Sequence, residues 1–424
     1  MQEDFLHYLW KLKKFEVSNL LTTNSQPVTI TSVGTHNHNT GPDFFNAQIT
    51  IDDQLWAGNV EIHIKSSDWF VHNHEVDTNY DNVILHVVWE HDTAIFRKDN
   101  TQIPTLQLKN YVSKTALNNY HKLFNSKQTW INCQNTVAEV SPFTINNWLE
   151  RLFFERLERK AKDIEAILET ANNNWEAVLF KLLTKNFGLK VNSDAFFSLA
   201  NSFDFSVVRK QQNNLQSLEA LFYGQANMLE DDVQEAYYIA LQKEYAFLKQ
   251  KFRIENTSVS PFQFFRLRPP NFPTIRLSQL ANLYHVHQSL FSKVITLDSL
   301  EDIYNLFSVS TSTFWETHYT FDKVSKTSKK KITKAFIDLL LINTIIPLKF
   351  CYAKQQGKSI DDSIIKLMEQ LKPEKNSIVD KFKTLKVSSK SALQSQAVIQ
   401  LKNNYCDKNY CLKCAIGNDI LTNS

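Results

Sequence analysis

Three features of the 424-residue sequence predict an α+β fold, a β-rich N-terminal part followed by a large all-helical region. Strand-length runs of β-branched and aromatic residues crowd the stretch from Pro27 to Leu108. Apolar residues at helical spacing take over from Ser141. Two stretches fit neither pattern: Cys133 to Ser141, and Asn256 to Pro273 with its Pro261, Pro269, Pro270 and Pro273. They divide the chain into an α/β domain over 1–132, a helical domain over 133–255 and a second helical domain over 256–424 that ends in clustered cysteines.

The elements follow in order. Phe5, Leu6, Tyr8, Leu9, Trp10 and Leu12 give Asp4 to Phe15 the apolar face of a short opening helix. Pro27 to Val33 is a strand by its β-branched content. Phe44 to Ile51 and Leu55 to Lys65 are strands joined by a tight turn at Asp52-Asp53. Val83 to Glu90 has the continuous apolar run of a central strand. Thr93 to Phe96 and Thr105 to Leu108 are expected at sheet edges, and Ser113 to Leu123 as a helix. Ser141-Pro142 opens a long helix, in which Ile145, Trp148, Leu149, Leu152, Phe153, Arg156 and Leu157 share helical spacing. Further helices are expected over Asn174–Lys185, Asp231–Phe252, Arg276–Phe291, Lys331–Ala353, Ser359–Leu371 and Leu393–Tyr405.

Composition bounds the function. With 47 Lys and Arg against 44 Asp and Glu, the formal charge is only +3, which excludes a basic nucleic-acid coat but leaves room for local basic patches. The start, Met-Gln-Glu-Asp-Phe, is acidic and lacks the basic-then-apolar pattern of a signal peptide. The longest apolar run, Ala335 to Cys351, is interrupted by Asp338, Asn343 and Pro347 and reads as a buried helix. A cytoplasmic location and no membrane partner are the expectation.

The chemistry concentrates between Thr35 and His86. Gly34, Gly41 and Gly58 fall in or beside this stretch, although the chain has only seven glycines. A local cluster of a rare glycine marks tight turns or close backbone approaches. Asp43 follows Gly41-Pro42 at the mouth of a strand. On the next strand, alternation sends Glu61, His63 and Lys65 to one face and Val60, Ile62 and Ile64 to the other. A carboxylate, an imidazole and an ammonium beside a core need partners. A divalent cation on Asp43 and Glu61 would supply one, with His63 or Lys65 orienting or deprotonating a water. The His-Asn-His triplets, His36 to His38 and His72 to His74, add metal-binding side chains, and a zinc site on those four histidines is a further reading.

Gly-Pro-Asp, a hairpin, and a strand with Glu-x-His-x-Lys together resemble the PD-(D/E)XK nuclease core, the restriction-endonuclease-like fold. That family sets an Asp at a strand start and Glu-x-Lys on the neighbouring strand, around Mg²⁺ or Mn²⁺. The resemblance implies a mixed sheet with flanking helices and Asp43 and Glu61 as metal ligands. Here His63 stands where the family has lysine, and Lys65 lies one step further along the same face. A second resemblance spans nearly the whole chain. By GPDFFNA, WAGNVEIHIKSSDW, YDNVILHVV, FRLRPPNFPTIRLSQLA and the terminal cysteines, the chain is identified as a member of a bacterial domain-of-unknown-function family, number twenty-eight fifty-one. That family carries no established activity.

Two other constellations stand out. Cys406, Cys411 and Cys414 lie within nine residues and can converge on one metal, zinc or an iron–sulfur cluster. Cys133, in the joint after the β-rich domain, is the expected fourth ligand, which would fold the C-terminus back as a clamp. Cys351 reads as a small core residue. Arg266, Arg268 and Arg276 gather near a helix expected to start at Pro273-Thr274, where a phosphate would be favoured, with Thr274 as a cap. Salt links to acidic helices are the plainer reading of these arginines.

The leading expectation is a metal-dependent nuclease-like phosphodiesterase acting on nucleic acid. A non-catalytic nucleic-acid-binding or scaffold protein is the competing class, and a metal-dependent hydrolase of a small substrate is the third.

Overall fold

The computed structural model describes residues 1–125, 129–358 and 362–423. It divides into two compact units. One comprises Met1–Trp148, Asp380–Val387 and Gln400–Ser424, the other Leu149–Val379 and Ser388–Ile399. The boundary expected between residues 255 and 256 lies inside the second unit, and the cysteine-bearing C-terminal segment belongs to the first. The fold is α+β, with an N-terminal mixed sheet and a large helical region after it.

The first unit is built on a seven-stranded sheet. Its strands are β1 (Leu20–Leu21), β2 (Pro27–Ser32), β3 (Thr35–His36), β4 (Phe44–Ile51), β5 (Gln54–Lys65), β6 (Val83–Glu90) and β7 (Thr105–Gln107). The order is β1-β2-β4-β5-β6-β7, with β3 beside β4. Pairing is antiparallel up to β5 and parallel from β5 through β7. The β4–β5 hairpin closes at Asp52 and Asp53, both in the left-handed region (φ 52° and 64°), as a two-residue turn between right-twisted strands demands. Asn46 (φ 57°) makes a bulge in β4, where the register against β5 shifts between Phe44 and Ala47. The bulge bends the strand just after Asp43.

Helix α1 (Glu3–Lys11) lies against β5. Its Phe5, Leu6, Leu9 and Trp10 are fully buried with Val60 and Ile62 of β5 and Leu85 and Val87 of β6. Each such side chain contributes roughly 1.5–3 kcal/mol by leaving water. Val60 and Ile62 thus take one face of β5, and Glu61 and His63 the other. The parallel step from β5 to β6 needs a crossover, and this one holds only the short helix α2 (Asp68–Val71) and a 3₁₀ turn (Thr78–Tyr80).

Thr93 to Phe96 is not a strand. Ser66 Oγ accepts from the Asp92 and Thr93 amides, at 3.0 and 3.1 Å, so the backbone there turns, leaving only a bridge between Phe96 and Gln102. Side-chain hydrogen bonds to the backbone have outcompeted the ladder.

The second unit is helical apart from a two-stranded ribbon, His318–Thr320 with Lys323–Val324. The helix expected over Arg276–Phe291 forms as Pro273–Val286, and a break with Ser289 at φ 51° separates it from Leu290–Thr296. Phe272, not Thr274, precedes its first turn, and Thr274 Oγ1 donates to the Tyr319 carbonyl instead. The first three residues of the helix expected over Ser359–Leu371 lie outside the described residues; its remainder is Asp362–Gln370. Lys334–Gln355 is long and apolar enough to cross a membrane by length and composition alone, yet 72% of its most apolar window is buried inside the protein. A π turn at Leu341–Ile345 interrupts it just before Pro347, which has no N–H to offer the Asn343 carbonyl.

Candidate metal centre

Asp43 and Glu61 grip each other's strands. The Asp43 amide donates to Glu61 Oε2 at 3.0 Å, and the Ile62 amide donates to Asp43 Oδ2 at 3.0 Å. His7, from α1, sets Nε2 at 3.1 Å from the same Asp43 oxygen. The loop that delivers Asp43 is wound around Asn37. Its Nδ2 donates to the carbonyls of Asn39, Thr40 and Pro42, and its amide bonds the Asp43 carbonyl at 2.7 Å. Gly41, at φ 101°, makes the turn that a side chain would resist.

Three imidazoles meet over Glu61. His63 is on β5, while His72 and His74 come from the turn after α2. Asn73 between them is left-handed (φ 58°), which swings both flanking rings toward the sheet. One ligand nitrogen from each of His63, His72 and His74 lies within 4.8 Å of the others. His63 Nε2 is 3.0 Å from His72 Nδ1 and 3.5 Å from Glu61 Oε1, and His74 Nε2 is 3.4 Å from the same oxygen. Tetrahedral coordination with metal–nitrogen bonds of about 2.0–2.1 Å places donors about 3.3–3.4 Å apart. The three imidazoles are grouped closely enough to share one cation, with a Glu61 oxygen beside two of them. Behind them, His86 Nε2 lies 2.9 Å from His63 Nδ1. A proton on Nδ1 would leave His63 Nε2 with its lone pair forward, the arrangement that ligating histidines use. His86 is fully buried and sits opposite Glu61 in the parallel register.

Burial governs the charges. It pushes the Glu61 carboxyl up to about 9, with the Asp43 charge adding to it. Burial pushes His63 down to about 3, with His74 and His72 adding to it, and holds His86 well below the usual imidazole range. Burial and the neighbouring His7 take His36 to about 4. His7 runs the other way: burial opposes its charge, but the bond to Asp43 prevails and raises it. Without a cation, burial disfavours the charged forms of Glu61, His63 and His74 alike. His74 Nε2 is buried without a hydrogen-bond partner, a cost that a bound ion would remove.

The other expected residues fall in different places. Lys65 is at the exposed end of β5, where its amide bonds Asp68 Oδ2 at 2.9 Å. The four histidines of the two triplets do not form one group. His72 and His74 join His63, while His36 stacks on Phe44 and packs beside His38 and His7. Arg276 is buried, bonded to Gln279 Oε1 and Asn271 Oδ1 at 2.8 and 2.6 Å and seated 3.6 Å from the Phe336 ring, so its guanidinium is occupied by its own unit. Arg266 and Arg268 are exposed. Cys133, Cys406, Cys411 and Cys414 line one cavity, and Cys351 is buried elsewhere, with Sγ facing the Ala161 carbonyl. Burial, reinforced by the other thiols, pushes Cys133 up to about 12 and Cys411 to about 11. His86 belongs to the histidine-bearing stretch that the sequence marks for metal or acid/base chemistry, but its place behind His63 does not follow from the sequence, and His7 had no part in it. His7 carries no local signal, being brought to Asp43 only by the packing of α1.

Residues 3–377 match the family described as "Protein of unknown function (DUF2851)", and the chain belongs to that family. No curated protein and no solved structure matches the chain.

Proposed function

We propose that this member of the family is a metal-dependent hydrolase of phosphodiester bonds in nucleic acid, with His63, His72, His74 and Glu61 holding the cation and Asp43 beside it. The observation that carries the reading is the meeting of His63, His72 and His74 nitrogens within 4.8 Å of one another, with His63 and His74 at 3.5 and 3.4 Å from a Glu61 oxygen, set against a second carboxylate. A divalent cation there supplies Lewis-acid activation of the phosphoryl group and of the attacking water. An imidazole-rich donor set favours zinc or iron over magnesium, and the carboxylate beside it keeps manganese a candidate. Asp43, fixed by the Ile62 amide and His7, orients the water and accepts its proton. His86 keeps His63 in the ligating tautomer. The choice of phosphodiester substrates rests on the resemblance to PD-(D/E)XK nucleases: Asp43 precedes β4 and Glu61 is on neighbouring β5, where that pattern expects its two carboxylates.

The test is cleavage of single- and double-stranded DNA and RNA by the full chain with Mn²⁺, Zn²⁺ or Mg²⁺. Cleavage with Mn²⁺ or Zn²⁺ that a chelator and Glu61→Gln both abolish is the expected result. No cleavage of any substrate by metal-loaded protein overturns it. His63 in the lysine position favours a second reading, a non-catalytic nucleic-acid-binding protein, which retention without cleavage would select.

A further inference from the structure

We infer that the turn from Phe264 to Leu267, with Arg268 beside it, is a contact for single-stranded nucleic acid, in which a base stacks on Phe265 while Arg266 and Arg268 hold phosphates. The ligand class rests on the nucleic-acid reading above. The contact lies in the second unit and shares no residue with the histidine centre. Phe265 is 76% exposed, so the fold forgoes the gain from burying a large aromatic ring. Arg266 is left-handed (φ 64°) at the third position of a turn that the Leu267 amide closes by donating to the Phe264 carbonyl at 3.2 Å. A left-handed third position favours glycine, and arginine is strained there. The tip thus carries two residues that neither burial nor turn geometry selects, with the Arg266 guanidinium 5.1 Å from the Phe265 ring.

The tip is braced from both sides. Asn192, 2% exposed, accepts from the Gln263 amide at 2.7 Å and donates to the Gln263 carbonyl at 2.8 Å. The Ser260 amide donates to Ser198 Oγ at 2.9 Å, and Phe262 packs edge-on against Phe196. Beyond the tip, the Arg268 carbonyl accepts from the Asn271 amide at 2.8 Å, and buried Arg276 donates to Asn271 Oδ1 at 2.6 Å. One arginine of the three therefore supports the segment that presents the other two. A ring held in place loses less freedom when a ligand docks. Charge points to a polyanion. No Asp or Glu occurs between Glu255 and Asp298, and neither Arg266 nor Arg268 joins a salt bridge among the described residues. A nucleic-acid strand offers flat base faces beside phosphates, the pattern that a ring flanked by guanidiniums matches. Bases inside a duplex are already stacked, so the ring selects a single strand.

The experiment is fluorescence anisotropy of a labelled single-stranded oligothymidylate titrated with the full chain, in chelator and over a range of salt. Binding by the wild type is expected. Phe265→Ala should weaken it about 5- to 150-fold, the worth of one stacked base, with the salt dependence unchanged. Arg266→Gly and Arg268→Ala should each lower the slope of log affinity against log salt by about 0.7, the share of one phosphate contact on a single strand. Arg266→Gly should also raise the urea midpoint, because glycine takes φ 64° without strain. Weaker binding by a more stable protein excludes misfolding as its cause. No binding by the wild type overturns the inference, as does unchanged affinity in Phe265→Ala or duplex DNA bound as tightly as the single strand. The chelator separates this contact from the proposed hydrolysis. Binding without metal-dependent cleavage strikes only the hydrolase reading, and cleavage by a chain whose affinity ignores Phe265→Ala strikes only this inference.

Discussion

Replacing His86 with leucine should weaken metal binding at a distance from every ligand atom. His86 is fully buried, and its Nε2 lies 2.9 Å from His63 Nδ1 of the donor set. His86→Leu keeps an apolar body in the space but leaves the His63 Nδ1 proton without an acceptor. Loss of a group that orients a ligating histidine lowers metal affinity about 10–100-fold, about 1.4–2.8 kcal/mol. Calorimetric titration of the chain with Zn²⁺ or Mn²⁺, beside a circular-dichroism check of folding, reads this directly. The drop should be graded, with binding still measurable, whereas His74→Ala, which removes a donor atom, should cost more. Unchanged affinity in well-folded His86→Leu would show that His63 needs no orienting partner, and would refute a role for His86 in metal binding.

Three further outcomes follow from the packing. Glu219 is 1% exposed, and burial holds its carboxyl above the usual range, although Ser278 and Tyr237 donate to it. The folded state thus keeps a proton that the unfolded chain has released, so stability falls as pH rises from the usual carboxyl range toward the folded value. Urea midpoints near about pH 5 and about pH 8 should therefore differ less in Glu219→Gln than in the wild type, and an equal difference would reject that assignment. Gly58→Ala would place a Cβ 2.4 Å from Ile84 Cγ2 and 2.7 Å from the Asn82 carbonyl oxygen. Ile84 can shift but the backbone oxygen cannot easily, so a loss of about 1–3 kcal/mol is expected in denaturant unfolding. Trp10→Ala removes a fully buried ring and the bond from its Nε1 to the Val33 carbonyl, and should cost about 3–5 kcal/mol by the same measurement.

Much of the sheet was legible because strands write their faces into the sequence with period two. β4 and β5 fall where alternation and β-branched content place them, β6 where its continuous apolar run does, and Asp52-Asp53 makes the turn its composition suggests. Alternation gives a face but not a depth. It groups Lys65 with Glu61 and His63, yet Lys65 is exposed where β5 ends. Turns defeat it altogether. The left-handed Asn46 and Asn73, and the hold of Ser66 on the Asp92–Thr93 amides, depend on single side chains with no period behind them. That is why the bulge, the inward swing of His72 and His74 and the loss of the strand at Thr93 to Phe96 were not readable in advance.

The helical unit shows the opposite limit. Leu215–Gln225, absent from the expected helices, is buried continuously from Ser217 to Gln225. A helix buried all round carries no amphipathic stripe, so the 3.6-residue signal is lost. The return of the C-terminal segment to the first unit involves contacts hundreds of residues apart in sequence, such as Asn119 Nδ2 with the Ile420 carbonyl at 3.3 Å. No local pattern encodes such a contact, and the spacing of Cys406, Cys411 and Cys414 was its one forerunner in the sequence.

The position of a bound cation decides the function of the centre. Crystals of the full chain grown with Mn²⁺ or Zn²⁺, with diffraction recorded on either side of the metal's absorption edge, locate it directly. The predicted result is an anomalous peak in the first unit within about 2.0–2.2 Å of His63 Nε2, His72 Nδ1, His74 Nε2 and a Glu61 oxygen. A peak held by other residues, or density at those four side chains with no anomalous signal at saturating metal, would contradict it.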